Sequence, residues 1–182
     1  MYTDVVFAGT GGQGVLFMGK LLAQAAMIEG KGVTWFPYYG AERRGGISYC
    51  IVVISSEEIN SPVVAYPHSV VVLEHYAWEY FHSRVKTGGF LIINQSLVRD
   101  TNGRADIEIY RFPFTQLAQQ LGDFRVVNMI ALGTYVEKIG LISFTTLRKE
   151  LGKILKDESA FQKNLQALEM GQNLVIKGRD SL

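Results

Sequence analysis

Glycines near the N-terminus have the spacing of a nucleotide-binding loop. Gly9, Gly11 and Gly14 follow the apolar run VVFA with the pattern G-x-G-x-x-G, inside the segment GTGGQG. Glycine allows a tight turn and a close approach of an anion, and a helix that starts at the loop directs its free N–H groups at a phosphate. A strand before the motif and a helix after it are its required context. The segment therefore predicts an anion-binding loop that also includes Gly12 and Gln13.

Two interpretations of this loop remain open. The glycines could serve only the close packing of a strand against a helix, and Gln13 could either contact a ligand or cap the loop. A nicotinamide dinucleotide site also needs an acidic residue at the end of the second strand to hold the ribose. The segment VTWFPYYG has no acid there, because Glu29 comes too early and Glu42 comes later. The standard dinucleotide site therefore lacks its ribose ligand.

A second candidate site is the segment YYGAERRGG, residues 38–46. It follows the second predicted strand, so we expect it beside the glycine loop at the carboxyl edge of the sheet, where open α/β sheets bind ligands. One of Arg43 and Arg44 could grip a phosphate or carboxylate while the other pairs with Glu42. A solvated charged loop is the simpler alternative. The flanking glycines and aromatic residues favour a binding or interface loop.

Five further residues carry polar or reactive side chains. His75, Glu79 and His82 have a spacing that a metal could use, although a solvated helix face explains it more simply. Asn128 is the one amide in VVNMIAL, and a buried amide needs a partner, which is either a neighbouring loop or the glycine loop. Cys50 is the only cysteine and lies in an apolar run, which predicts a buried core residue. One thiol cannot hold an iron–sulfur cluster.

The elements that must position these residues alternate along the chain. Apolar runs predict strands at 4–8, 33–37, 47–55, 69–74, 90–94 and 105–112. Helices are predicted at FTQLAQQLG and at 14–29, 75–86, 125–139, 143–156 and 158–176. This order predicts an open, mostly parallel, Rossmann-like α/β sheet with flanking helices and a helical C-terminal third. The helix at 14–29 is apolar around most of its circumference, so it must be covered on more than one side.

Length and composition fit a single domain over residues 1–182. An apolar fraction of 48% is enough for a sizeable core. The net charge is +1, so there is no electrostatic case for nucleic acid or an anionic membrane. No segment has the form of a signal peptide or approaches the roughly 20 apolar residues of a membrane helix. We therefore expect a cytoplasmic protein.

Together, the two loops resemble the gamma subunit of 2-oxoacid:ferredoxin oxidoreductases. The family's G-x-G-G-Q-G loop is matched by residues 9–14, and its Y-G-P-E-x-R-G-G loop is matched by Tyr39, Gly40, Glu42, Arg44, Gly45 and Gly46. Ala41 departs from the proline of the 2-oxoglutarate type. The likeness continues through VVVLEH, GGFLIIN, RVVNMIALG and KNLQALEMG, so it covers nearly the whole chain.

This resemblance implies an accessory subunit of an enzyme that decarboxylates a 2-oxoacid with coenzyme A, giving acyl-CoA, carbon dioxide and reduced ferredoxin. It places thiamine diphosphate on alpha and beta subunits and iron–sulfur clusters on those or on a ferredoxin-like partner. The glycine loop, Arg43, Arg44 and Asn128 would contribute to the coenzyme A crevice, with Arg44 at the family's arginine position. No catalytic residue is expected on this chain, and the isolated chain is expected to be inactive and to form a homodimer.

Three alternative functions are compatible with the same residues. The beta subunit of indolepyruvate:ferredoxin oxidoreductase shares the G-x-G-G-Q-G and R-G-G patterns, although Glu42 with Tyr39 and Gly40 favours the 2-oxoacid gamma branch. A freestanding nicotinamide-dependent dehydrogenase would use the glycine loop but needs the missing ribose acid. A ligand-free interaction module would use the glycines for packing alone.

Overall fold

A six-stranded sheet organises the chain. The computed structural model describes residues 1–39, 46–99 and 103–179. The strands are β1 (Tyr2–Thr10), β2 (Gly32–Tyr39), β3 (Ile47–Ser55), β4 (Ser69–Val72), β5 (Phe90–Asn94) and β6 (Glu108–Phe112). Their order across the sheet is β2-β3-β1-β4-β5-β6.

The sheet is mixed but mostly parallel. The pairings β1–β4, β4–β5 and β5–β6 are parallel, whereas β3 is antiparallel to both β1 and β2. The predicted Rossmann-like α/β class is therefore confirmed, with an antiparallel β2–β3 hairpin at one side. Because two reversals restore the direction, β2 ends at the same edge as β1. This edge carries the glycine loop.

The helices flank the sheet and dominate the end of the chain. They are α1 (Val15–Ile28), α2 (His75–Phe81), α3 (Phe114–Gln120), α4 (Val127–Ile139), α5 (Phe144–Ile154) and α6 (Glu158–Arg179). The helical C-terminal third is confirmed. Ser143 is the predicted N-cap of α5, since its Oγ accepts the Thr146 N–H at 3.1 Å. None of the helices in the described parts of the chain is long and apolar enough to cross a membrane.

Several predicted boundaries were wrong by a few residues. The second strand, predicted at 33–37, extends through Tyr38 and Tyr39, because both residues continue the ladder with β3. The helix predicted at 75–86 ends at Phe81 and continues only as a 3₁₀ turn, His82–Arg84. The strand predicted at 69–74 ends at Val72, since Glu74 already caps the next helix.

The core lies on both faces of the sheet. On one face, Phe7 packs with Met18 of α1 and edge-to-face on Tyr135 of α4, at 5.4 Å between ring centroids. On the other face, Val6 packs with Ala77 and Phe81 of α2. Burial on both faces explains why β1 reads as a nearly continuous apolar run.

The apolar helix α1 is covered within the chain itself. It packs against β1, β2 and β3 on one side and against α4 and α5 on the other. The Glu29 Oε1 accepts the Ser143 N–H at 2.8 Å and fixes the end of α1 to the start of α5. Contacts within the chain therefore supply the cover on more than one side that the apolar composition of α1 predicts. Only its last turn leaves large apolar side chains open, with Met27 63% and Ile28 61% exposed.

Candidate functional site

The glycine loop crosses the carboxyl edge of the sheet between β1 and α1. Gly14 adopts a left-handed conformation, with φ of 72°, and is the N-cap of α1. The first helical bond runs from the Met18 N–H to the Gly14 carbonyl at 3.1 Å. The N–H groups of residues 15–17 therefore have no acceptor inside the helix. Together with the positive end of the helix dipole, they give this edge the properties of an anion site.

Gln13 braces the loop from within. The side-chain Oε1 of Gln13 accepts the Thr10 N–H at 2.8 Å, and the backbone N–H of Gln13 donates to the Thr10 carbonyl at 3.2 Å. The capping interpretation of this side chain is thus confirmed. A ligand contact by Gln13 stays a prediction.

Asn128 joins α4 to the glycine loop. The side chain is only 6% exposed, and its Nδ2 donates to the Gly14 carbonyl at 3.4 Å. Its Oδ1 accepts the Met129 N–H at 2.9 Å in the first turn of α4. Of the two interpretations of this amide, contact with the glycine loop is confirmed. The N-termini of α1 and α4 consequently meet at one place, 114 residues apart in sequence.

The second predicted loop starts and ends beside the first. Tyr39 pairs with Ser48, which in turn pairs with Gly9, and the Gly11 N–H donates to the Gly46 carbonyl at 3.4 Å. The predicted position at the carboxyl edge is confirmed for these flanking residues. Arg43, Arg44 and Glu42 lie outside the described residues, so their roles remain predictions.

A polar network that sequence reasoning missed supports the adjacent part of this edge. Asn94, at the end of β5, is fully buried, and its Nδ2 donates to the Leu73 carbonyl at 3.1 Å and to the Thr115 Oγ1 at 2.9 Å. The Thr115 N–H donates back to the Asn94 Oδ1 at 3.3 Å. An amide at the last position of an otherwise apolar strand was the available signal, because the carboxyl ends of the parallel strands meet at this edge.

The carboxylates of Glu29 and Glu74 make structural contacts. Glu29 lies at the far end of α1, where it bonds the Ser143 N–H and pairs with Lys31 at 3.0 Å. These partners outweigh its partial burial and lower the pKa of Glu29. Glu74 caps α2, since its Oε2 accepts the Tyr76 N–H at 2.9 Å. Neither carboxylate lies at the end of β2, where a dinucleotide ribose would need one.

The two imidazoles considered for a metal are separated by an indole. Trp78 stacks between His75 and His82, with centroid distances of 5.6 and 4.3 Å. His75 approaches Glu79 at 3.6 Å, and the His82 Nδ1 is 3.0 Å from the Trp78 carbonyl oxygen. The described residues contain no group of three metal-ligating side chains. Stacking, which holds α2 together, accounts for this spacing.

Cys50 is the buried core residue that the sequence predicted. Its Sγ donates to the Val15 carbonyl at 3.3 Å, directly beneath the first turn of α1. Burial raises the pKa of the thiol to about 12, so the nucleophilic thiolate is absent at neutral pH.

The fold and the loop together define a Rossmann-like α/β domain with a glycine loop at the carboxyl edge of its sheet. Residues 4–174 match the family described as pyruvate ferredoxin/flavodoxin oxidoreductase, and the chain belongs to this family. The family resemblance of the two loops is thereby confirmed. The 2-oxoglutarate synthase subunit KorC of Methanothermobacter marburgensis is 32% identical over 186 residues, which cover 98% of this chain and 100% of that protein.

Two solved structures show the same fold. The gamma subunit of a keto/oxoacid ferredoxin oxidoreductase from Geobacter sulfurreducens is 27% identical with a TM-score of 0.81, covering 93% of this chain and 95% of that one. The 2-oxoglutarate:ferredoxin oxidoreductase from Magnetococcus marinus, with 2-oxoglutarate, coenzyme A and succinyl-CoA bound, is 26% identical with a TM-score of 0.87. The match covers 95% of this chain and 31% of that one.

Some relatives are much longer than this chain. Ketoisovalerate oxidoreductase subunit VorA of Methanothermobacter thermautotrophicus is 34% identical over 94% of this chain, which spans 33% of that protein. VorA of Methanothermobacter marburgensis is 39% identical over 71% of this chain, and the matched part makes up 27% of that protein. The chain therefore corresponds to one part of these relatives and to the whole of the KorC subunit.

Proposed function

We propose that this chain is a single-domain gamma subunit of a cytoplasmic 2-oxoacid:ferredoxin oxidoreductase. The assembled enzyme decarboxylates a 2-oxoacid, 2-oxoglutarate being the favoured type, and transfers the acyl group to coenzyme A while it reduces ferredoxin. Thiamine diphosphate and the iron–sulfur clusters lie on alpha, beta and ferredoxin-like partners. The isolated chain is inactive and forms a homodimer.

The observation that carries this proposal is the paired start of α1 and α4 at the glycine loop, in a chain that matches a 2-oxoglutarate synthase subunit from end to end. The described residues place the loop, its brace Gln13 and its link Asn128 at the carboxyl edge. They hold no cluster of metal ligands there. The described part of this edge offers the free N–H groups at the start of α1 to an anion, which agrees with an accessory role.

Coenzyme A is the ligand that this edge fits best within such an enzyme. Its phosphates are anions, which the free N–H groups of the first turn of α1 accommodate. The relative from Magnetococcus marinus was solved with coenzyme A bound. In the proposed crevice, the backbone of Gly11, Gly12 and Gly14 approaches the phosphates, and Arg43 or Arg44 supplies the positive side chain. Asn128 acts by fixing the loop.

Purification of the chain from its own cell extract tests the assembly. The co-purifying proteins are identified, and the preparation is assayed with thiamine diphosphate, coenzyme A and a viologen dye against pyruvate, 2-oxoglutarate, 2-oxoisovalerate and indolepyruvate. Dye reduction that requires coenzyme A supports the proposal, and the preferred 2-oxoacid identifies the branch. The chain could instead purify without partners and show no dye reduction. If adding it to NADH then enhances the NADH fluorescence, the result would support a nicotinamide enzyme.

The coenzyme A contact has its own test in Arg44→Ala. In the intact complex, this variant should raise the KM for coenzyme A by about 10-fold or more, because a charge-assisted bond to phosphate is worth roughly 1.5–3 kcal/mol. The KM for the 2-oxoacid should stay within about twofold. Arg148→Ala, at an exposed position of α5, is the matched control. Equal rises in both KM values, with assembly intact, would contradict the coenzyme A contact.

A further inference from the structure

A row of stacked tyrosines lies on the face of the sheet that carries α2. Tyr38 of β2 stacks on Tyr49 of β3 with 4.5 Å between ring centroids and 18° between ring planes. Tyr49 stacks in turn on Tyr80 of α2 at 6.3 Å and 28°. The Arg84 guanidinium lies over the Tyr80 ring at 3.8 Å. We call Tyr38, Tyr49 and Tyr80 the tyrosine row.

The register of the strands places this row beside the glycine loop. Tyr38 pairs with Tyr49, and Tyr49 pairs with Ala8, the residue before Gly9. Because neighbouring strands are about 4.8 Å apart, the backbone of Tyr38 is roughly 10 Å from that of β1. Tyr76, one turn before Tyr80 on α2, also stands at this edge and is 66% exposed.

One end of the row is open. Arg84 covers Tyr80, and Tyr80 and Tyr38 cover the two sides of Tyr49. Tyr38 lies on β2, the last strand of the sheet, so no further strand of the described chain lies beyond it. Its side chain is 42% exposed. A flat aromatic group can therefore extend the stack at Tyr38 without rearranging the rings.

Several features favour a nucleotide base over a protein side chain as the occupant. The row is continuous with a loop built to hold phosphate, and a nucleotide carries both a flat base and phosphates. The rings are already nearly parallel, which suits stacking, and every base has an aromatic face that such a platform accepts. The guanidinium of Arg84 adds positive charge at the same surface.

We propose that the tyrosine row, with Tyr38 as its contact, binds the adenine base of the coenzyme A whose phosphates meet the glycine loop. This inference rests on the proposed function, since it needs coenzyme A at this edge. The loop then recognises the phosphates, and the row recognises the base. A small 2-oxoacid has no base, so the tyrosine row would contact coenzyme A but not the 2-oxoacid.

The test is a calorimetric titration of the full chain with coenzyme A. It compares wild type with the variants Tyr38→Ala and Tyr38→Phe. Stacking on one aromatic ring predicts that Tyr38→Ala raises the Kd by about 5- to 100-fold. Tyr38→Phe keeps the ring and should bind within about twofold of wild type. Tyr66→Ala is the matched control, because Tyr66 is 67% exposed in the groove lined by Tyr2 and Lys86, away from the loop. Circular dichroism verifies that each variant is folded.

A second probe, 4′-phosphopantetheine, separates the base from the rest of the ligand. It carries a phosphate but no base, so Tyr38→Ala should leave its Kd unchanged. An unchanged Kd for coenzyme A in Tyr38→Ala would overturn the base contact while leaving the proposed function intact. Equal weakening of both probes would overturn it too, since the row would then only support the loop. Failure of wild type, alone and in its complex, to bind coenzyme A would overturn the coenzyme A contact itself.

Discussion

The contact between Gly14 and Asn128 makes a quantitative prediction about coupling. A Cβ added to Gly14 would come closer than 3.0 Å to the Asn128 Nδ2, and the backbone there has a φ of 72°. The variant Gly14→Ala therefore suffers two separate penalties, backbone strain and a side-chain clash. Asn128→Ala removes the clashing group, so it should relieve the second penalty and leave the first.

The expected free energies follow from these contacts. Left-handed backbone strain costs roughly 1–2 kcal/mol, and the clash costs roughly 1–3 kcal/mol. The free energy of unfolding of Gly14→Ala should therefore be about 2–5 kcal/mol below that of wild type. Asn128→Ala leaves the Met129 N–H and the Gly14 carbonyl without this partner, at about 1–2 kcal/mol. Additive effects would give a loss of about 3–7 kcal/mol in the double variant. Relief of the clash should instead give about 2–4 kcal/mol, which is a coupling of roughly 1–3 kcal/mol.

Urea unfolding followed by circular dichroism measures this cycle, provided that the m-values agree among the variants. Gly12→Ala supplies the control, because Gly12 has a φ of 94° but nothing within 4 Å of an added Cβ. Its effect should add to that of Asn128→Ala without coupling. Strict additivity of Gly14→Ala and Asn128→Ala would refute the direct contact between α4 and the loop.

Two further predictions concern packing and titration. Gly133→Ala should cost about 1–3 kcal/mol, because its Cβ would come closer than 3.0 Å to the Leu168 carbonyl where α4 crosses α6. Gly152→Ala, whose Cβ makes ordinary contact with Phe161, should instead gain about 0.5–1 kcal/mol; similar losses in both would contradict the close crossing. Burial raises the pKa of the Asp4 carboxyl above 3.8. The folded protein therefore binds the carboxyl proton more tightly than the unfolded chain does. The contribution of Asp4 to the free energy of unfolding consequently falls as the pH rises from about 4 through the folded pKa. The stability of Asp4→Asn relative to wild type should therefore increase over that range in urea titrations, and a constant difference would exclude a raised pKa.

The elements around the glycine loop were predictable because their signals are local. An apolar run, a glycine cluster and a long apolar segment follow one another within residues 4–29, and they became β1, the loop and α1. The start of α5 was predictable in the same way, because the Ser143 side chain caps the helix through a hydrogen bond to the residue only three positions ahead. The alternation of strands and helices then sufficed for the fold class. The two loops together were specific enough to predict the family.

The details of the site depended on contacts between distant segments. The sequence offered Asn128 two partners, and only the packing of α4 beside α1 selected Gly14. Asn94 and Thr115 were missed because nothing in either local sequence indicates that they face each other. The strand order also brought Tyr38, Tyr49 and Tyr80 into one stack.

The sequence by itself determined the class of the fold, the family and the position of the glycine loop. Short-range periodicity, glycine geometry and helix caps act within a few residues, so a single segment carries the whole signal. Only the tertiary structure decided that β3 inserts between β2 and β1, that α4 and α5 cover α1, and that Asn128 fixes Gly14. Those choices depend on which apolar faces fit together across the sheet, and that fit is a property of the packed chain rather than of any one segment.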